Sequence, residues 1–209
     1  MTPSELINAV EKADSSDALL DAVEALAAAN LPEAIATLIE VLGFNNPGAA
    51  VAAVDGLIII GEPAVMPILE QLDGYNYGAR AWAVRALSGI GDPRGLDVLL
   101  EAAGSDFALS VRRSAARGLG AIRWHELPSE VQQTAQKRAL ETLSQTCKDP
   151  EWIVRYGAVV GLQGLQTATA IQQPSWWQTG VKRLEEITQQ DDTLAVRARA
   201  KLALDVLER

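Results

Sequence analysis

Between residues 80 and 103, apolar side chains return every three or four positions. Arg80, Ala83, Val84, Leu87 and Ile90 follow the i, i+3, i+4, i+7, i+10 order of one helix face. Gly91-Asp92-Pro93 interrupts that order. Asp92 suits a helix cap, and Pro93 suits a first helical position, where no backbone N–H is needed. A second apolar face then runs through Leu96, Leu99, Leu100 and Ala103. The pattern predicts a helical hairpin of about 30 residues.

The hairpin recurs. Its skeleton is Arg, Ala three later and Leu seven later, as in Arg80, Ala83, Leu87. The same spacing appears at Arg112, Ala115, Leu119; at Arg155, Ala158, Leu162; and at Arg197, Ala200, Leu204. Two earlier copies, Ala53 with Leu57 and Ala22 with Leu26, lack the Arg. The Leu anchors are spaced 31, 30, 32, 43 and 42 residues apart. The punctuation repeats as well: Asn30-Leu31-Pro32 and Gly61-Glu62-Pro63 stand where Gly91-Asp92-Pro93 stands in the third copy. One hairpin cannot bury its own apolar face, so stacked copies share a core. The predicted fold is all-α: an α-α superhelix, or solenoid, of about six HEAT-like hairpins, as a single repeat domain over residues 1–209. The two longer units are expected to place their extra residues between helices, around Trp124 to Pro128 and Gln166 to Trp177. Thr2-Pro3-Ser4-Glu5, Ser129-Glu130-Val131-Gln132 and Ser175-Trp176-Trp177-Gln178 have capping-box spacing. No alternation of strand type is present.

Composition supports helices and narrows the chemistry. Alanine, the best helix former, occupies 34 of 209 positions. Eighteen basic against 27 acidic residues leave a net charge of −9, which disfavours a general nucleic-acid binder. One Cys and one His exclude a disulfide framework and most zinc sites, so no metal is expected. The longest run of large apolar residues, Leu57 to Ile60, is far short of a bilayer span, and the start Met1-Thr2-Pro3-Ser4-Glu5 lacks the form of a signal peptide. A cytoplasmic protein is the expectation. Gly118-Leu119-Gly120 does not continue into a dinucleotide fingerprint, and no phosphate-binding loop is present.

Asp106, Asp149 and Asp191 each lie six residues before a repeat Arg, namely Arg112, Arg155 and Arg197. Each Asp is placed to cap a first helix. Each inward Arg needs an acceptor, because an unpaired buried charge is costly. An Asp–Arg ladder between neighbouring units satisfies both. Cys147 follows Leu140 and Leu143 at helical spacing, the position of a buried structural thiol.

The pattern Val-Arg-x-x-Ala-x-x-x-Leu, followed by Ile90-Gly91-Asp92-Pro93 and Leu96-Asp97-Val98-Leu99-Leu100, resembles the HEAT-like repeats of phycobiliprotein lyases. With the stretch Gly74-Tyr75-Asn76-Tyr77-Gly78-Ala79-Arg80-Ala81-Trp82-Ala83, the resemblance extends over nearly the whole chain to F-type subunits of heterodimeric E/F bilin lyases of cyanobacteria. It implies an enzyme that attaches phycocyanobilin through a thioether to a cysteine of the phycocyanin α subunit. It also implies an E-type partner, phycocyanobilin as substrate rather than cofactor, and a place near phycobilisomes at the thylakoid surface. An isomerising sister family carries an adjacent His-Cys pair; here His125 and Cys147 are 22 residues apart, which disfavours isomerisation. A protein-binding scaffold without chemistry, and a related bilin-handling protein in antenna turnover, are the other readings.

Phycocyanobilin is a long conjugated ligand with two propionates, so its site calls for aromatic walls and cations. On that resemblance, Tyr75, Tyr77, Arg80 and Trp82 before and within a first helix are bilin-binding candidates. So are Arg113 and Arg117, an i, i+4 cationic pair. His125, in the connection Arg123-Trp124-His125-Glu126, is a weak candidate proton donor. Trp124, Trp176 and Trp177 are candidates for a partner interface.

Overall fold

The structure, a computed structural model, describes residues 1–72 and 77–208. The described residues contain twelve α-helices and no strand: α1 (Pro3–Glu11), α2 (Ser16–Ala28), α3 (Ile35–Val41), α4 (Pro47–Ile60), α5 (Val65–Gln71), α6 (Tyr77–Ile90), α7 (Leu96–Ser105), α8 (Leu109–Leu119), α9 (Ser129–Thr146), α10 (Trp152–Ala168), α11 (Trp177–Gln190) and α12 (Leu194–Leu207). This is the all-α, HEAT-like class the periodicity predicts. The six Leu anchors fall on α2, α4, α6, α8, α10 and α12. The chain divides into two compact units, Met1–Arg94 and Gly95–Arg209.

In the first unit the punctuation has a clear backbone cause. Asn30, Gly61 and Gly91 have φ of 50°, 75° and 68°. Gly and Asn tolerate this left-handed conformation better than other residues, which is why they end the helices here. The chain then enters a short 3-10 turn with Pro at its start or second position, at Pro32–Ala34, Glu62–Ala64 and Pro93–Gly95. Asp92 caps that turn rather than the α-helix, its Oδ1 accepting from the Arg94 backbone N–H at 2.9 Å. Arg94 also donates to both Asp92 carboxylate oxygens and to Glu62 Oε1, each at 2.8 Å, so it ties two successive turns together. The core between the helices is Leu26, Leu38, Val54, Leu57 and Ile68, all fully buried. Each such side chain contributes about 1.5–3 kcal/mol by leaving water. Asn46 caps α4 through the Ala49 N–H at 3.1 Å, and its Nδ2 donates to Ser16 O and Ser16 Oγ at 3.0 Å.

In the second unit, α8 and α10 pack with backbones nearly touching. A Cβ on Gly161 would lie 2.1 Å from Ala116 O, and one on Gly120 would lie 2.5 Å from Gly161 O. Only glycine fits these two positions. The expected ladder is present. Arg112 forms a bidentate pair with Asp149, Nε–Oδ2 2.7 Å and Nη2–Oδ1 3.1 Å. Arg155 does the same with Asp191, at 2.8 and 3.0 Å. Each ladder Arg also donates through Nη1 to the carbonyl of its own unit's Asp: Arg112 to Asp106, Arg155 to Asp149, Arg197 to Asp191. The Asp carboxylates bond the N–H two residues on, at Ala108, Glu151 and Thr193. They therefore fold the turn before each helix instead of occupying the N-cap itself.

Three local expectations need correction. Thr2 forms the capping box with Glu5, but Ser129 and Ser175 do not form theirs. Pro128 and Trp176 hold the N-cap positions instead, and neither cap has a side-chain hydrogen bond. The longer units also spend part of their extra length on helix: α9 has 18 residues and α10 has 17, running through Gln166 to Ala168. No single described helix is long and apolar enough to cross a membrane.

Candidate functional site

The ladder turns Arg112 and Arg155 toward neighbouring units, and this fixes which side chains lie beside them. One residue after each ladder Arg stand Arg113 on α8 and Tyr156 on α10. Two residues after Arg197 stands Arg199 on α12, and five after Arg112 stands Arg117 on α8. Trp152, Tyr156, Val160 and Gln163 share one stripe of α10 by their helical spacing. Trp152 is 45% exposed and Tyr156 is half-buried. Arg113 lies against Gly157, where a Cβ would come within 2.9 Å of Arg113 Cγ; glycine makes room for its stem.

The electrostatics of this face are one-sided. Among the described residues, no carboxylate pairs with Arg113, Arg117 or Arg199. Arg199 Nη2 donates to Gln163 Oε1, while Arg199 Nη1 and Arg113 Nε are buried without a hydrogen-bond acceptor. Burial, foremost, lowers the Arg199 pKa from its ordinary value; Tyr156 opposes that and the Arg117 charge adds to it. An uncompensated cluster of guanidinium groups in an acidic chain is suited to receive an anion.

The other predicted residues fall elsewhere. Tyr75 lies outside the described residues. Tyr77 opens α6 and is 67% exposed. Arg80 lines a cleft of about 50 Å³ with Ile39, Leu42, Ile68 and Ala83. That is well below the roughly 300 Å³ at which ligand pockets begin. Trp82 is half-buried, with the Arg85 guanidinium 5.5 Å from its ring centroid, a cation–π pair within α6. His125 is exposed on the 3-10 turn Trp124–Glu126.

The three tryptophans named as partner-interface candidates are buried core residues. Trp124 is 4% exposed, and Trp176 and Trp177 are each 8% exposed. Their ring area drives them inward, and Trp177 satisfies its indole N–H by donating to Gln166 O at 3.2 Å. The exposed large apolar side chains near the ladder are Phe107, Leu109, Trp152 and Leu194.

Sequence reasoning missed Tyr156, Arg199 and the fully buried Gln166, whose amide packs against Gly180 with both polar atoms unpaired. Aligning the four Arg copies finds the first two, because each lies one or two places after its repeat Arg. Gln166 has no such signal. Cys147 is the buried thiol expected, its pKa pushed up to about 12, chiefly by burial, so it stays protonated at neutral pH. A groove of about 540 Å³ between α9 and α11 exposes Lys137, Lys148, Lys182 and Arg183. Glu141 and Glu186 answer two of those charges, at 3.9 Å from Lys137 and 3.0 Å from Arg183. The described residues hold no group of three metal-ligating side chains.

HEAT repeats match residues 3–74 and 67–133. A phycocyanobilin lyase subunit beta from Pseudanabaena tenuis is 53% identical over 206 residues, covering 98% of this chain and 73% of the relative. The chain belongs to the phycocyanobilin lyase beta-subunit family. A family member from Nostoc is 52% identical over 96% of this chain and 98% of its own length. The family relationship extends to structure: the complex of CpcE and CpcF of phycocyanin lyase from Nostoc contains a chain that superimposes with a TM-score of 0.74 at 52% identity. That match covers 81% of this chain and 97% of the other. A designed armadillo repeat protein, 16% identical, superimposes over 99% of this chain and 100% of its own with a TM-score of 0.58, and shares the fold alone.

Proposed function

We propose that this chain is the F-type half of a phycocyanobilin lyase, which with an E-type subunit attaches phycocyanobilin to a cysteine of the phycocyanin α subunit. The observation that carries this reading is the identity of 53% over 98% of the chain to a phycocyanobilin lyase subunit beta. In the reaction, the acceptor thiolate adds to the ethylidene carbon on ring A. The carbon–sulfur bond forms from the thiolate pair, the double-bond pair moves into the conjugated pigment, and the pigment takes up one proton. The addition calls for no metal or nucleotide, so phycocyanobilin is substrate and no cofactor is needed. The protein's contribution is to hold thiol and pigment in one orientation and exclude wrong adducts. The expected setting is the cytoplasm, where phycobilisomes are assembled.

The test is co-expression of the chain with an E-type subunit, apo-phycocyanin α and a phycocyanobilin source, with each component omitted in turn. Covalent pigment is read on the denatured protein by zinc fluorescence and by its visible spectrum. A phycocyanobilin adduct that requires both subunits supports the reading. No gain over the omissions, with all proteins folded, contradicts it. Pigment loss from preformed phycocyanin would point instead to a bilin-detaching protein.

A further inference from the structure

We infer that Arg113, Arg117 and Arg199, with Tyr156 and Trp152 on the intervening helix α10, form the seat for the propionate carboxylates of the bilin. This rests on the lyase reading and locates the substrate within it. Three observations carry it. The cluster spans α8, α10 and α12, the first helices of three successive repeats, and among the described residues holds three guanidinium groups with no carboxylate paired to any of them. Two of the three, Arg113 and Arg199, keep a buried N–H without an acceptor, a costly condition that an incoming anion relieves. The helix between them presents Trp152 and Tyr156 one turn apart, so an aromatic stripe runs beside the cations.

These parts match one occupant. Phycocyanobilin carries two carboxylates on a long conjugated frame. Guanidinium forks bind carboxylates through paired N–H donors, and aromatic rings cover the flat pigment. The chain as a whole bears a net charge of −9, so a positive face on it is set against the general field of the molecule. The lysine-lined groove between α9 and α11 is the weaker seat, because Glu141 and Glu186 already answer two of its charges. The ladder residues Arg112 and Arg155 are excluded, being bound to Asp149 and Asp191.

The experiment uses the E/F heterodimer and two probes: phycocyanobilin, and its dimethyl ester, in which both carboxylates are capped. Binding is followed by the change in visible absorption. The native heterodimer is expected to bind the acid at least 10-fold more tightly than the ester. Changing Arg113→Gln, Arg117→Gln and Arg199→Gln together is expected to weaken acid binding by about 10- to 100-fold and leave ester binding unchanged, erasing the preference. Arg199→Lys, which keeps the charge, is expected to retain most of it. Circular dichroism and assembly with the E-type subunit establish that the variants fold.

Equal binding of acid and ester by the native heterodimer would overturn this assignment and leave the lyase reading intact. A preference that survives the triple substitution would overturn it too. So would a triple variant that keeps the preference but loses apo-phycocyanin α in the absence of pigment, which would give the face to the acceptor protein. No binding of either probe by the native heterodimer would overturn the lyase reading and this assignment with it.

Discussion

The two units of the chain tie their repeats together in different ways. In the first, residues 1–94, the link between α2 and α4 is neutral, Asn46 capping α4 and reaching back to Ser16, while the charged link from Arg94 to Glu62 is exposed. In the second, residues 95–209, the equivalent turns are joined by charge, Arg112 to Asp149 and Arg155 to Asp191. The ladder leaves its mark on the next residue along each helix. Once Arg112 is committed to Asp149, Arg113 is displayed without a partner; once Arg155 is committed to Asp191, Tyr156 is displayed beside it. The second unit therefore carries both a charged spine and a cationic, aromatic face. Arg112 and Arg155 are bound to carboxylates, while Arg113 and Arg199 each keep a buried N–H without an acceptor.

The largest effect is expected from Arg155→Ala, which strands the buried Asp191 and the carbonyl of Asp149. Breaking such a pair costs about 3 kcal/mol. Chemical denaturation should show that loss, and hydrogen exchange should place it in α10 to α12. Next comes acid. Burial works to raise the Asp149 and Asp191 carboxyls, but the hydrogen bonds and charges of Arg112 and Arg155 outweigh it, so both lie below the ordinary carboxylate range. Their contribution is fully present above the unfolded pKa of about 3.9 and is lost as pH falls through the lower folded values. Below about pH 4, amide protection should fall around the ladder turns of α8, α10 and α12, whereas the Asn46 link to Ser16 does not titrate.

Asn46→Ala should cost less than the ladder change, about 1–2 kcal/mol, because it removes a cap and two neutral hydrogen bonds. A loss as large as that of Arg155→Ala would break the distinction between the units. The smallest effect is expected at Glu62→Gln. The pair with Arg94 is short, but the Glu62 side chain is 66% exposed, so thermal unfolding should register a change within about 0.5 kcal/mol.

What the sequence made legible follows the physics of repetition. The helices, the Leu anchors and the Asp–Arg ladder were readable because each recurs at a fixed spacing and each obeys a local rule. Asn30, Gly61 and Gly91 were readable as breakers, though their left-handed φ was not. The tryptophans went the other way. Trp124, Trp176 and Trp177 lie in the longer, irregular connections, where no period says which side faces the core, and burial of the rings decided it. The face of α8, α10 and α12 was half legible. Arg113 and Arg117 are neighbours on one helix, but Tyr156 and Arg199 join them only through packing across 39 and 82 residues from Arg117. The close approach of α8 and α10 at Gly120 and Gly161 is what brings those helices together, and it depends on the absence of two side chains.

The most direct test exploits two adjacent residues, comparing Arg112→Gln with Arg113→Gln in the E/F heterodimer. For each, thermal unfolding is measured beside the yield of covalent pigment on phycocyanin α. Arg112→Gln is expected to lower stability by about 3 kcal/mol and to lose ligation only as the fold is lost. Arg113→Gln is expected to unfold within about 0.5 kcal/mol of the native chain and to lower attachment at limiting pigment by about 10-fold. A stable Arg112→Gln that fails to ligate, or an Arg113→Gln with native attachment, would contradict this assignment of roles.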